Sequence, residues 1–172
     1  LRERTTGTLE RLMATPIGKL DLILGYMFAF GFLAIIQASL ASALLLYGFQ
    51  LNVAGPDWFL VLMAVTDALL GTALGLLVSA FAKTEFQAVQ FMPAFVLPQI
   101  LIGGLFIPLS HMPDLLEKIA YCLPLTYAID ALNRIVMETG ISDTTWRDFI
   151  IVIIWIVASV TLGALSLRRK KD

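Results

Sequence analysis

Charged side chains are scarce in this sequence. Asp, Glu, Lys and Arg make up 15% of its 172 residues, where an ordinary soluble domain carries roughly 25%. The 12 basic and 13 acidic groups nearly cancel, leaving a net charge of −1, so no one-signed field points to nucleic acid. A single cysteine, Cys122, excludes an internal disulfide framework and a cysteine-only metal site. A single histidine, His111, leaves no histidine cluster for a metal and makes a catalytic triad built from this chain alone improbable. No G-x-x-x-x-G-K-[ST] stretch occurs, so the chain has no phosphate-cradling loop, and work done by it draws on a partner chain or a gradient. The first residue is Leu1, and no short signal-type segment precedes the first apolar run. We expect a piece cut from a longer chain.

What is abundant is apolar surface: 59% of the residues are hydrophobic and the mean hydropathy is +0.86. Four runs reach the roughly 20 mostly apolar residues that a bilayer crossing needs. They are residues 22–47, 58–82 (interrupted only by Asp67), 86–109 and 149–167. The third contains Pro93, Pro98, Gly103, Gly104 and Pro108. Soluble helices do not run this long without a polar face. The expected fold is all-α: a polytopic membrane protein of four transmembrane helices.

Lys and Arg in the short connections set the orientation. Four crossings put residues 1–21, the 83–85 turn and the 168–172 tail on one side, with Arg2, Arg4, Arg11, Lys19, Lys83, Arg168, Arg169, Lys170 and Lys171. The other side holds Lys118, Arg134 and Arg147. The first side is therefore expected to be cytoplasmic, with Trp58 and Trp146 as interfacial anchors at the outer face.

Residues 113–140 carry their own pattern. In "DLLEKIAYC", Leu115, Leu116, Ile119 and Cys122 share one helical stripe; in "TYAIDALNRIVMETG", Ile129, Leu132 and Val136 share another, with Asp130 and Arg134 paired at i,i+4. Pro124 separates the two, Thr126 is a candidate N-cap and Gly140 a C-terminal stop. These spacings predict two short amphipathic helices lying in, or dipping into, the outer leaflet; a small extracytoplasmic cap packed on itself is the alternative.

The opening "LRERTTGTLERLMATPIGKLD" has Leu9, Leu12 and Met13 on one face and Arg2, Glu3, Arg4, Glu10 and Arg11 on the other. Pro16 biases Thr15 away from helix, so a first helix ends near Ala14 and a second begins around residues 17–20. A generic juxtamembrane helix explains that amphipathicity equally well. The residues themselves are more specific. "RERTTGTLERLMATPI" resembles the cytoplasmic segment after the second span of type-2 ABC exporter permeases. "LGLLVSAFAKTEFQAVQF" resembles that family's turn between spans four and five. "PAFVLPQILIGGLFIPLSHMPDLLEKIAYCLPLTYAIDAL" resembles its fifth span and the helices beyond. The blocks follow the family's order over nearly the whole chain and look most similar to bacterial drug- and small-molecule-exporting permeases.

The resemblance implies a non-catalytic permease in the bacterial inner membrane that dimerises, as a homo- or heterodimer, and docks ATP-binding subunits. No cofactor belongs to this chain, since ATP and Mg would be bound by the partner subunit. By the match, Arg2, Glu3, Arg4, Gly7, Thr8, Leu9, Glu10 and Arg11 form the coupling helix at the ATPase interface. The family carries six spans, so two are expected to precede residue 1. The cargo implied is drug-like, lipid or otherwise amphipathic.

Candidates for a translocation path or gate are Gln37, Asp67, Pro93, Pro98, Gly103 and Gly104. An ionised Asp67 near mid-depth costs roughly 2.5–3.5 kcal/mol on insertion scales, so it should face protein or water; it is either a pathway carboxylate or a hydrogen-bond partner of a neighbour such as Gln37. Pro93 and Pro98 each remove a helix hydrogen bond, giving either a gate or a fixed kink. Gly71, Gly75 and Ser79 form a small-xxx-small ridge suited to close packing. A gradient-driven transporter remains the alternative function, although the two halves show no convincing repeat. An intramembrane enzyme would need paired groups at depth, and only Asp67 lies there.

Overall fold

The computed structural model describes residues 18–82 and 84–166. All of the regular structure among them is helical, in six main helices: α1 (Lys19–Ala43), α2 (Asp57–Phe81), α3 (Glu85–Ile102), α4 (Asp114–Ala120), α5 (Pro124–Met137) and α6 (Asp143–Ser166). α1 opens with the Gly18 amide donating to Asp21 Oδ2 at 2.9 Å, within the stretch where the sequence predicts a restart. It continues into a π-helical turn, Leu44–Gly48. There the Phe49 amide donates to the Leu44 carbonyl at 2.9 Å, and Gln50 at φ 52° ends the turn in the left-handed region.

Among the described residues, three helical stretches are long and apolar enough to cross a membrane: Leu20–Gly48, Asp57–Phe81 and Asp143–Ser166. α3 is shorter. It has 18 residues, about 27 Å at 1.5 Å per residue, against a hydrocarbon thickness of about 30 Å. It passes through Pro93 and Pro98 and stops at Ile102, so residues 103–109 of the expected span leave the helix. Gly104 at φ +95° explains the stop, because this left-handed geometry favours glycine.

α1, α2 and α6 form the frame. Where α1 starts and α6 finishes (the tail end), Ile23, Ala73, Val160 and Ala164 form one buried cluster. Gly163 of α6 is buried against α1 and α2: a Cβ there would stand in ordinary contact with Ile23 Cδ1 at 3.4 Å and Leu77 Cα at 3.7 Å. At the opposite end α5 wedges against α2 and α6. Phe59, Leu60 and Met63 pack on Ala131 and Ile135, while Leu70 and Leu74 pack on Ala128 and Val152. Leu74 lies 17 residues past the start of α2, about 26 Å along its axis, so the α4–α5 hairpin dips deep alongside the spans instead of lying flat. Trp58 and Trp146 both meet Phe59 edge-on at this hairpin end, as two anchors of one boundary should.

Two local expectations are corrected. Thr126 does not cap α5; the N-cap is Leu123, with Pro124 as the first helical residue. The Thr126 hydroxyl, buried, donates instead to the Ala120 carbonyl at 2.7 Å and closes the α4–α5 turn. Of the expected Gly71–Gly75–Ser79 ridge, Gly71 does not mediate close packing: it is exposed and a Cβ there would meet nothing within 4 Å. The buried face of α2 runs through Met63, Thr66, Leu70, Ala73 and Leu74, and Gly71 falls outside it.

The far end of α5 is closed from another part of the chain. The Ala54 and Gly55 amides donate to the Val136 and Ile135 carbonyls at 3.1 and 2.9 Å, satisfying groups that a helix end leaves open. Gly55 fits because a Cβ would come within 2.8 Å of the Ile135 carbonyl oxygen.

Candidate functional site

The coupling residues Arg2, Glu3, Arg4, Gly7, Thr8, Leu9, Glu10 and Arg11 lie outside the described residues. The path candidates do not form one cluster. Asp67 is half-buried on α2, between Met63, which packs in one cluster with Ala131, and Leu70, which packs in the next with Ala128. It has no hydrogen bond or ion pair among the described residues. Gln37 is exposed on α1 and makes no bond to it, so the expected Asp67–Gln37 pair is not formed. The neighbouring hydroxyls are occupied: Thr66 and Thr72 donate to the carbonyls of Leu62 and Ala68 at 2.7 and 2.9 Å.

Pro93 and Pro98 are both exposed on α3. Gly103 is buried and its amide donates to the Gln99 carbonyl at 2.8 Å; a Cβ on it would collide with that carbonyl and lie 3.2 Å from Ile129 Cδ1. α3 therefore meets α5 at Gly103 and Ile129, while α2 meets the flanking Ala128 and Ala131.

Sequence reasoning missed two polar groups that the structure buries. Gln99 is 2% exposed; its amide donates to the Phe95 carbonyl at 3.2 Å, and its Oε1 has no partner among the described residues. Asp148 is fully buried although it stands at the charged margin of an apolar run. Its Oδ1 accepts from Arg147 Nη2 at 2.8 Å and Nε at 3.0 Å, and Oδ2 has no hydrogen-bond partner. On α5, Asp130 accepts from Arg134 Nε at 3.1 Å, as the i,i+4 spacing predicts. A signal for Asp148 was present: Thr145, Asp148, Val152 and Ser159 recur at helical spacing, and all four are buried.

Chemically, among the described residues there is no group of three or more His, Cys, Asp or Glu side chains that could hold a metal ion. The arrangement offers instead a rigid frame, a buried wedge, and one apolar helix, α3, held mainly near its ends.

A model of the ABC-2 type transporter family matches residues 1–137. The chain is 26% identical over 172 residues to ABC transporter G family member 20 of Dictyostelium discoideum, covering 99% of this chain and 24% of that protein. It is 27% identical over 173 residues to the probable multidrug ABC transporter permease YbhR of Escherichia coli K12, covering 99% and 46%. It is 25% identical over 136 residues to the linearmycin resistance permease protein LnrN of Bacillus subtilis, covering 79% and 35%. The chain thus spans about half, or less, of the length of these relatives. No solved structure matches it.

Proposed function

The chain belongs to the ABC-2 type transporter family, and from that premise we propose that it is part of the permease of an ATP-driven exporter, moving an amphipathic, drug-like or lipid substrate out of the cytoplasm. The observation that carries this reading is the extent of the family match: it begins at residue 1 and so includes the opening amphipathic segment. Relatives named as a probable multidrug permease and as a linearmycin resistance permease support a drug-like cargo. The permease itself does no chemistry. ATP and Mg bind a partner ATPase subunit, and a second permease copy or paralogue completes the pathway.

The parts divide the work as follows. Nucleotide-driven closure of the ATPase displaces the segment carrying Arg2, Glu3, Arg4, Gly7, Thr8, Leu9, Glu10 and Arg11. α1 begins a few residues later, at Lys19, and Ile23 in its first turns is locked against Ala73 of α2 and Ala164 of α6. A push on the cytoplasmic segment therefore enters the frame at the tail end. α3 has the most freedom to respond, with Pro93 and Pro98 inside it and the Gly103–Gly104 turn at its far end. Gln37 and Asp67 supply polar groups along the route. The excess of basic residues in the tail-end connections supports a cytoplasmic N-terminal segment and C-terminus, and we read the membrane as the inner membrane of a bacterium.

The full-length permease tests this. It should copurify an ATP-binding subunit and drive ATP-dependent uptake of a lipophilic dye into inside-out vesicles. Glu3→Lys with Glu10→Lys should keep expression normal and reduce both docking and uptake. Uptake that ignores ATP and collapses on dissipating the proton gradient would overturn the reading in favour of a gradient-driven transporter.

A further inference from the structure

The side chain that α3 buries is a polar one. Gln99 is 2% exposed, whereas Leu97, two positions earlier, is 54% exposed, and Pro98 between them is exposed too. The two ends of the Gln99 amide are told apart by what they meet. The Phe95 carbonyl only accepts, so the end that lies 3.2 Å from it is the NH2 group, and the other end is Oε1. That oxygen is buried and has no hydrogen-bond partner among the described residues. A buried acceptor without a donor is costly, and rare in folded proteins.

The donors around it are missing or committed. Pro98, its chain neighbour, has no amide hydrogen. The Gly103 amide, one turn on, donates to the Gln99 carbonyl at 2.8 Å. Ile129 of α5 packs against the same turn, at Gly103. Earlier on α5, the Thr126 and Tyr127 hydroxyls donate to the Ala120 and Tyr121 carbonyls, both at 2.7 Å. Val96 and Ile102, at helical spacing from Gln99, are apolar and half-buried. Oε1 is therefore a single open acceptor in apolar surroundings, on the helix that has the least core to hold it. A further helix laid on the outside of α3 would cover Leu97 and Pro98, and would not reach an atom already enclosed. A donor from outside reaches it as α3 and α5 part.

We propose that Gln99 Oε1 reads the cargo, accepting a hydrogen bond from an N–H or O–H group of an otherwise apolar molecule that lodges between α3 and α5. This rests on the exporter reading above and narrows its substrate class. One acceptor among apolar side chains selects by chemistry more than by size. Cargo with a donor satisfies the oxygen; cargo of the same shape without one leaves it buried and unpaired, and is bound less well. Gln99 is thus a specificity-determining residue, and the bond from its NH2 group to the Phe95 carbonyl holds the acceptor in place.

A pair of cationic dyes that differ only in donors tests this: a rhodamine methyl ester with free amino groups, and its counterpart with every amino hydrogen replaced by methyl. Inside-out vesicles carrying the full-length permease and its copurifying ATPase should take up the amino dye with a KM about tenfold below that of the methylated dye. Gln99→Met, similar in size but without a strong acceptor, should raise the KM of the amino dye about tenfold at an unchanged maximal rate, and leave the methylated dye as it was. Gln99→Leu gives the same comparison if the first variant does not fold. A merely structural glutamine, or a water resident on Oε1, predicts that the variant lowers uptake of both dyes equally or of neither, and either result overturns the proposal. A wild type indifferent to the methyl groups overturns it as well. If neither dye is taken up in an ATP-dependent way, the exporter reading falls and this one with it; if uptake is ATP-driven but indifferent to Gln99, only the assignment of Gln99 falls.

Discussion

α2 and α3 are consecutive in the chain, three residues apart, and both are apolar, yet the structure treats them oppositely. α2 buries Phe59, Leu60, Met63, Thr66, Leu70, Ala73, Leu74 and Ala80 against α1, α5 and α6. On α3, Gln99 is the one buried side chain among those described, while Phe86 and Val89 are 72% and 70% exposed. Hydrophobicity draws both helices into lipid with equal force, but only packing ties a helix to its neighbours, because lipid tails solvate Leu and Phe as well as protein does. α2 is frame. α3 can move without losing a core.

Four variants of the full-length permease sharpen or break that contrast. Phe59→Ala removes a fully buried ring that touches Trp58, Trp146 and Phe149, and should cost about 3–5 kcal/mol, measured by thermal unfolding. Gly55→Ala forces a methyl toward the Ile135 and Glu138 carbonyl oxygens, at 2.8 and 3.2 Å; it should cost about 1–3 kcal/mol and raise hydrogen exchange at the end of α5. Pro93→Ala with Pro98→Ala should change stability by less than about 1 kcal/mol yet slow export, because a straightened α3 loses its compliance. Unchanged transport would make the kinks passive. Val89→Ala should stay within about 0.5 kcal/mol. A larger loss would mean that α3 has a partner outside these residues, and the contrast with α2 would then be one of assembly and not of freedom.

The sequence made the long helices legible because apolar runs of that length have few other uses, and it made the α4–α5 hairpin legible through its stripes and Pro124. It did not reveal how deep the hairpin goes, since an amphipathic stripe states that one face is covered and not what covers it. Thr126 looked like a cap because it follows Pro124; the carbonyl it serves is six residues back, a tertiary choice invisible to local rules. Gly71 looked like a contact because four-residue spacing favours one, but the buried face of α2 is set by its larger neighbours. Asp148 drew no remark because it stands at the margin of a span, although its helical spacing with Thr145, Val152 and Ser159 carried the signal of burial. Among the path candidates the suggested Asp67–Gln37 bond does not form, and Gln99, unremarked in the sequence, is the residue whose carbonyl accepts from the Gly103 amide.

The two amides of Ala54 and Gly55 that close α5 have a consequence for how this region can change over time. They bind through backbone alone, so neither position can become proline, which has no amide hydrogen to donate, and the second must stay glycine. Beside them Val53 packs against the cluster around Phe59 and Ile135, so the short α1–α2 connection is joined to the wedge by two backbone bonds and one apolar side chain.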